Sequence, residues 1–310
     1  MTFRKSPLVS IITVNFKQTE VTLQLLDSLK KVTYPNYEII VVDNGSGENL
    51  GSVLSESYHD CIYVESKENL GFAGGNNLGI QKALGKYLFF INNDVEVEAN
   101  FLQPLVDLAE SDSSIGMISP KIIYYDSDNT IQYAGSIGIN PYTGRGAKIG
   151  WNQKDNGDFD KIYETSLGHG AGMLVPMDVI KQVGMLPEIF FLYYEEHDWC
   201  EAIKRAGYKV YYCGLSTIFH KESVSVGRQS TLKTYYMARN RVLFIRRNNK
   251  GMQKWIALLF FAFISMPKNC IQFFSKRQFG HLKVFLKGVF WNCLNYKIKG
   301  YPQLQYESDK

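Results

Sequence analysis

The hydrophobic positions of the chain follow two rhythms that alternate over its first third. Val9-Ser-Ile-Ile-Thr-Val14 and Glu38-Ile-Ile-Val-Val42 are short β-branched runs of the kind that form strands buried on both faces. Between them Val21, Leu25, Leu26 and Leu29 recur at helical spacing until Tyr34-Pro-Asn-Tyr37 breaks the pattern. Ile62-Tyr-Val64 reads as a third strand and Tyr87-Leu-Phe-Phe-Ile91 as a fourth. A glycine-rich segment, Asn69-Leu-Gly-Phe-Ala-Gly-Gly75, reads as a loop leading into a helix from Asn77 to Leu84. Strand and helix in alternation predict an α/β fold with a mostly parallel sheet flanked by helices. Ligands of such sheets bind beyond the carboxyl ends of the strands, where Asp43 and Asn92-Asn-Asp94 lie.

The rhythm loosens between about residues 120 and 165, where Tyr, Gly, Asn and Asp predict loops and a small antiparallel element. It returns with the glycine-rich Gly168 to Val175, a short helix from Met177 to Val183, a longer one from Glu195 to Ala206 capped by Gly207, and a strand from Tyr208 to Cys213. The pattern divides the chain into an α/β domain over 1–225, in halves of about 1–120 and 121–225, and a helical extension over 226–310.

Charge sharpens that boundary. No Asp or Glu lies between Glu222 and Glu307, whereas 15 of the 34 Lys and Arg do, leaving 19 against all 30 acidic residues elsewhere. A basic, aromatic extension on an acidic body points to an anionic partner. Trp255 to Met266 is apolar for about 12 residues and then meets Pro267, short of the ~20 that a span needs. Phe279, Leu282, Phe285, Leu286, Val289, Phe290, Cys293 and Leu294 recur at helical spacing beside Lys283 and Lys287. These features predict docking on the inner face of the cytoplasmic membrane without crossing it. No nucleic-acid module is visible. The five cysteines are scattered and form no C-x-x-C pair, and no apolar signal core follows the N-terminal basic residues, so a cytoplasmic setting with reduced thiols is expected.

Three constellations carry chemistry. Asp94, a carboxylate at a strand end, can bind a hard cation that bridges two phosphates, and His220 joins it only if the fold brings the two together. Phe190-Phe-Leu-Tyr-Tyr-Glu-Glu-His-Asp-Trp199 sets Glu195, Glu196 and Asp198 among aromatics, where like charges and burial raise a carboxyl and prepare a general base. The glycines of 71–75 are not a dinucleotide fingerprint but permit close backbone approach to a ligand.

Taken in order, Val-Asp-Asn-Gly-Ser at 42–46, Asn-Leu-Gly-Phe-Ala-Gly-Gly-Asn-Asn at 69–77, Asn-Asn-Asp at 92–94, Gly170-Ala-Gly-Met-Leu, the acidic-aromatic segment and Phe219-His resemble the family 2 glycosyltransferases of GT-A fold, especially a rhamnosyltransferase-like branch. The resemblance covers about residues 8 to 245. It implies that Asp43 contacts the nucleotide base, with Thr13, Asn15, Asn69, Gly71, Gly74, Asn77, Asn92 and Asn93 around the nucleotide sugar. Asn92 replaces the first Asp of an Asp-x-Asp motif, which makes Asp94 the principal carboxylate on a divalent metal, Mn²⁺ or Mg²⁺, with His220 completing the site. Thr13-Val14-Asn15-Phe16 lacks, at its third position, the aromatic that stacks on the base in some relatives, and Phe16 is the candidate substitute. Glu195-Glu196 matches the acidic pair holding the catalytic base, with Glu196 favoured and Asp198 the alternative. The implied reaction is an inverting transfer from a nucleoside-diphosphate sugar, dTDP-rhamnose by branch, to a hydroxyl of a glycan or lipid-linked glycan in bacterial surface-polysaccharide synthesis. A nucleotidyltransferase and an inactive carbohydrate-binding member of the fold are the other classes. The oligomeric state stays open.

Overall fold

In the computed structural model, which describes residues 6–221, 230–295, 297 and 300–303, the β-branched runs form the centre of one large sheet. The chain runs β1 (Val9–Asn15), α1 (Thr19–Leu29), β2 (Tyr37–Asn44), α2 (Leu50–Ser57), β3 (Cys61–Ser66), α3 (Gly71–Ile80), β4 (Tyr87–Asn92), β5 (Val95–Val97), α4 (Leu102–Ser111) and β6 (Ile115–Tyr124). The short strands β7 (Ile131–Tyr133), β8 (Ser136–Ile139), β9 (Gly146–Lys148) and β10 (Ile162–Glu164) follow, then β11 (Gly172–Pro176), α5 (Met177–Val183), α6 (Glu195–Arg205) and β12 (Lys209–His220). The main path of the sheet is β10-β12-β6-β11-β4-β1-β2-β3. β3, β2, β1 and β4 are parallel, β11 enters antiparallel between β4 and β6, and β12 lies parallel to β6. The expected mostly parallel α/β sheet is therefore present, with β11 as its reversal.

Side-chain alternation places an apolar layer on each face of the sheet. Val9 and Ile11 of β1 and Tyr87, Phe89 and Ile91 of β4 pack with α1, α2 and α4. Ile12 of β1 and Leu88 and Phe90 of β4 pack with α3, α5 and α6. Helix α3 comes close to the sheet because glycine lines its inner face. A Cβ on Gly75 would lie 2.8 Å from Val14 Cγ1, and one on Gly79 would lie 2.4 Å from Ile12 Cγ2. The segment read as a loop from its glycines is thus the first half of α3. Gly71 alone adopts a left-handed conformation there, at φ +73°, against the Phe191 carbonyl.

The extension folds as α7 (Thr231–Asn248), α8 (Gly251–Phe260), α9 (Met266–Ser275) and α10 (Phe279–Leu294). The expected boundary at 225/226 lies outside the described residues. A π turn over Phe261–Ser265 joins α8 to α9, so the helix passes through Pro267 instead of stopping there. Proline clashes with the carbonyl four residues back, and the wider π turn relaxes that position. The result corrects the length read from sequence. Gly251–Ser275 is a helix of 25 residues whose most apolar 18-residue window has a mean hydropathy of 1.5, long and apolar enough to cross a membrane by those measures. Its outer side leaves Trp255, Leu259, Phe263, Ile271 and Phe274 exposed, while Ala257 and Phe261 are buried. The apolar face predicted for α10 is divided. Phe285, Leu286 and Val289 pack within the extension, whereas Phe279, Phe290 and Leu294 remain exposed.

Candidate active site

Parallel strands deliver the first half of the site. At the end of β2, Asp43 is buried and accepts a hydrogen bond from Asn15 Nδ2 at 3.1 Å and another from the Ser46 hydroxyl. Asn15 Oδ1 accepts from Thr22 Oγ1 at 2.9 Å, and Thr22 Oγ1 accepts from Asn93 Nδ2 at 3.1 Å. One polar chain therefore ties the ends of β1, β2 and β4 together. Thr13, expected at the ligand, is instead fully buried on the face that Val9 and Ile11 share, and its hydroxyl has no partner among the described residues.

Asp94 follows β4 in the turn to β5, which pairs with the end of β12. That pairing sets His220 Nε2 3.0 Å from Asp94 Oδ1, with both side chains nearly buried. His220 Nδ1 lies 2.8 Å from Gln132 Oε1, an acceptor, so Nδ1 carries the proton. In the neutral tautomer the Nε2 lone pair faces the carboxylate oxygen. Two acceptors at that distance repel unless a proton or a cation lies between them, so the donor set fits a divalent metal. Among the described residues no group of three or more His, Cys, Asp and Glu could hold a metal, so the remaining ligands of such an ion would come from diphosphate and water.

The second half is α6 and the loop before it. Phe191, Tyr193 and Tyr194 all have positive φ, at 62°, 68° and 75°. Three aromatics in the left-handed region are strained, and something must hold them there. Helix α7 does so. Asn240 is fully buried and donates to the carbonyls of Phe190, Leu192 and Tyr193 at 2.7–2.9 Å, and Arg239 donates to those of Ile189 and Phe190 at 2.6 Å. The clamp presents Glu195 and Glu196 at the start of α6. Glu196 stands over Gly170, where a Cβ would lie 3.8 Å from its carboxyl carbon and 3.7 Å from the Phe72 ring. The glycine leaves that space open.

The two carboxyls are unequal. Burial and the neighbouring Glu196 push Glu195 well above the ordinary carboxylate value. Burial also works against charge on Glu196, but the His197 imidazole, whose Nδ1 lies 3.2 Å from Glu196 Oε1, together with a backbone amide and Lys148, holds Glu196 below the ordinary value. The pair therefore holds its negative charge on Glu196. Neither Oε2 atom has a hydrogen-bond partner among the described residues. Beside Gly170 in the chain sits His169, which has no sequence signal beyond its type. Its ring centroid is 6.3 Å from that of His220, and burial keeps it neutral, with Lys148, His220 and His197 acting in the same direction.

Several residues expected around the nucleotide sugar make structural contacts. Asn77 donates to the Leu186 carbonyl and to Glu188 Oε1 and accepts from the Leu186 amide, all within 3.0 Å. The Asn69 side chain accepts from the Gly71 amide and from Asn44, which fixes the start of α3, and Gly71 and Gly74 serve close packing there. Asn92 stays at the site, with Nδ2 3.4 Å from His220 Nε2. Asp198, the alternative base, is fully buried and points away from the acidic pair. It forms a two-pronged ion pair with Arg247, at 2.9 and 3.0 Å, and accepts from Asn248 at 2.6 Å and Tyr301 at 2.7 Å. A carboxylate so fully occupied cannot take a proton from substrate. Its work is to pin α6 to α7, and removing one partner of such a pair typically costs about 3–5 kcal/mol.

The profile of the family described as Glycosyl transferase family 2 matches residues 10–180. Among curated proteins, the chain is 29% identical over 244 residues to the low-salt glycan biosynthesis hexosyltransferase Agl10 of Haloferax volcanii, covering 76% of this chain and 74% of that one. It is 27% identical over 257 residues to the uncharacterized protein y4gI of Sinorhizobium fredii but spans only 28% of its length. Among solved structures, the mannosyltransferase PcManGT of Pyrobaculum calidifontis, in complex with GDP-Man and Mn²⁺, superposes with a TM-score of 0.57 at 16% identity over 96% of this chain and 77% of that one. GalNAc-T7 with UDP, GalNAc and Mn²⁺ gives 0.60 at 15% identity, over 84% and 57%. At such identities the superpositions speak for the fold, and both neighbours are GT-A glycosyltransferases.

Proposed function

Since this chain belongs to glycosyl transferase family 2 and is a glycosyltransferase, we propose that it moves a sugar from a nucleoside-diphosphate donor to a hydroxyl of a glycan or lipid-linked glycan, with inversion. One observation carries the reading. A single ionised carboxylate, Glu196, stands over Gly170, next in the chain to His169, whose ring lies 6.3 Å from that of His220, the partner of Asp94.

In this reading Asp43 and Asn15 hold the nucleoside end of the donor, and Asp94 and His220 would hold a divalent metal, Mn²⁺ or Mg²⁺, which would supply Lewis-acid stabilisation of the leaving group. Glu196 takes the acceptor hydroxyl proton as that oxygen attacks the anomeric carbon. Neutral Glu195 keeps a second negative charge away from the same cavity. The clamp from α7 fixes Glu196 in place, which is the positioning that such a step requires. The motif resemblance makes dTDP-rhamnose the first donor to test, in surface-polysaccharide synthesis. GDP-mannose and UDP sugars complete the panel, because the solved neighbours carry those nucleotides. The decisive experiment is transfer to an alkyl glycoside acceptor with NMR of the new anomeric centre. An α-configured donor should give a β-linked product. A retained configuration, or transfer of the nucleotide in place of the sugar, would overturn the reading.

We place the chain at the inner face of the cytoplasmic membrane, peripherally. The exposed apolar side of Gly251–Ser275 and the lysines of the extension support contact with lipid. The same helix has a committed inner side, where Ser265 accepts from Arg241 and Phe261 packs with Ala238 and Val242. A spanning helix would have to give those contacts up. In flotation, the full chain should rise with anionic vesicles and be released by alkaline carbonate, and Trp255→Ser/Phe263→Ser should rise less. No flotation, or retention through carbonate, would count against the placement.

A further inference from the structure

Beyond α10 the chain returns to the helix that carries the acidic pair. The Pro302 carbonyl accepts from the Met185 amide at 2.8 Å, just after α5. Gly184 makes room for this seam. Its φ of +89° favours glycine, and a Cβ there would lie 2.8 Å from Tyr301 Cβ and 2.9 Å from the Pro302 carbonyl oxygen. The Gly184 carbonyl accepts from Trp199 Nε1 at 2.9 Å, so the seam is tied to a fully buried side chain of α6.

Tyr301 is the node of the return. Its hydroxyl lies 2.7 Å from Asp198 Oδ2 and 3.1 Å from the Asp198 carbonyl oxygen, and it accepts from Arg205 Nη2 at 3.1 Å. Burial and the Asp198 carboxylate hold the phenol above its ordinary value, so it stays a donor. Asp198 and Arg205 are seven residues apart, which puts them two turns apart on one face of α6, and one hydroxyl bridges them. Asn248 bridges the same two residues from α7, donating to Asp198 Oδ1 at 2.6 Å and accepting from Arg205 Nη1 at 2.7 Å. Helix α6 is therefore gripped by two segments of the extension at the same two points. The grip reaches the chemistry because Asp198 lies in the first turn of α6, two residues after Glu196, and its amide closes that turn on the Tyr194 carbonyl at 2.9 Å. A turn held through one neighbour can still tilt about it, and a second hold removes that freedom.

We propose that Tyr301 is a positioning residue for the transfer reaction, acting through Asp198 to set the first turn of α6 and with it Glu196. The segment 300–303 then belongs to the catalytic unit, and the extension has a duty in the reaction besides any contact with lipid. The proposal rests on the sugar-transfer reading, since it concerns the placement of that reaction's base. Asp43, Asn15, Asp94 and His220 stand on or beside other elements, β1, β2, β4 and β12, so a shift of α6 costs rate and leaves donor binding alone.

Tyr301→Phe in the full chain tests it, because the ring stays against Gly184 and Arg247 and only the hydroxyl is lost. Well below Tm, kcat should fall about 10–10²-fold, the scale of a base misplaced by ~1 Å. KM for donor and the Mn²⁺-dependent affinity for nucleoside diphosphate should not change. A residue that only stabilises the fold would lower Tm and leave kcat of the folded protein as it was, and that result would overturn the proposal. Arg205→Ala reaches the same hydroxyl from its other side and carries the test if Tyr301→Phe does not fold. There too kcat should fall with KM unchanged, and an unaltered kcat would count against the assignment. The two readings fail separately. If Glu196→Gln keeps full kcat while Tyr301→Phe loses it, the base is misassigned and Tyr301 still positions α6. If Glu196→Gln is inactive while Tyr301→Phe keeps full kcat, the role given to Tyr301 falls alone.

Discussion

Glu196→Gln is expected to lower turnover by about 10²–10⁴-fold while leaving donor affinity unchanged, the scale set by loss of a general base. The amide keeps the shape of the side chain and its packing over Gly170 and Phe72, so the fold should not register the change. It cannot take a proton. Glu195→Gln is the matched control, because burial and Glu196 already hold Glu195 neutral. An amide imitates that state, and most activity should survive. The pH profile adds a sign. His197 holds Glu196 below the ordinary carboxylate value, so the acid limb of kcat/KM should lie below that range, with activity lost only as pH falls through it. His197→Ala removes the stabilising neighbour, raises the Glu196 carboxyl and should move the limb to higher pH. Steady-state rates of the unmutated chain and the three variants, from neutral pH to well below the ordinary carboxylate value, with donor affinity by calorimetry, settle the assignment. A dead Glu195→Gln beside an active Glu196→Gln would exchange the two roles.

The parallel core was legible because its signal is local. Val9 to Val14, Glu38 to Val42 and Tyr87 to Ile91 are strands buried on both faces, and a strand of that kind announces itself by composition alone. Asp43 and Asp94 were legible for the same reason, since each sits at the end of such a run. What sequence spacing could not reveal was competition from distant partners. Asp198 lies three residues from Glu195 and carries the same chemistry, yet Arg247, Asn248 and Tyr301 take every acceptor site on it. Asn77 is claimed by Leu186 and Glu188 in the same way. The glycines of α3 were read by propensity, which favours a loop, but contact with Val14 and Ile12 decided for helix. Pro267 was read as a stop, and the π turn before it let the helix continue. His169 and Gln132 had no sequence signal beyond their type. The clamp from Asn240 had one, a run of Arg and Asn at 239–241 and 246–249 in an otherwise apolar helix, which charge counting absorbed into a general basic character.

Asp94→Ala is expected to abolish metal-dependent donor binding, and the arrangement around it says how to separate that from a loss of stability. Asp94 Oδ1 lies 3.0 Å from His220 Nε2, and Gln132 holds the far side of the ring. Read as a plain buried pair, Asp94 and His220 would share a proton, and Asp94→Ala would lower Tm with no selective effect on donor. Read as a metal site, Asp94 would be its only carboxylate, because Asn92 stands where a second could be and no third His, Cys, Asp or Glu joins the pair among the described residues. Outer-sphere partners of a metal typically contribute about 10–100-fold to affinity or activity, which sets the scale for Gln132→Ala. Loss of the principal carboxylate should exceed it. Calorimetry of nucleoside diphosphate with and without Mn²⁺ should therefore show the metal-dependent increment cut most in Asp94→Ala, less in His220→Ala and least in Gln132→Ala. The Asp94→Ala/His220→Ala double variant should lose hardly more than Asp94→Ala alone, because one ion would couple the two positions. A folded Asp94→Ala protein that keeps its Mn²⁺-dependent affinity would leave the pair as a structural hydrogen bond and nothing more.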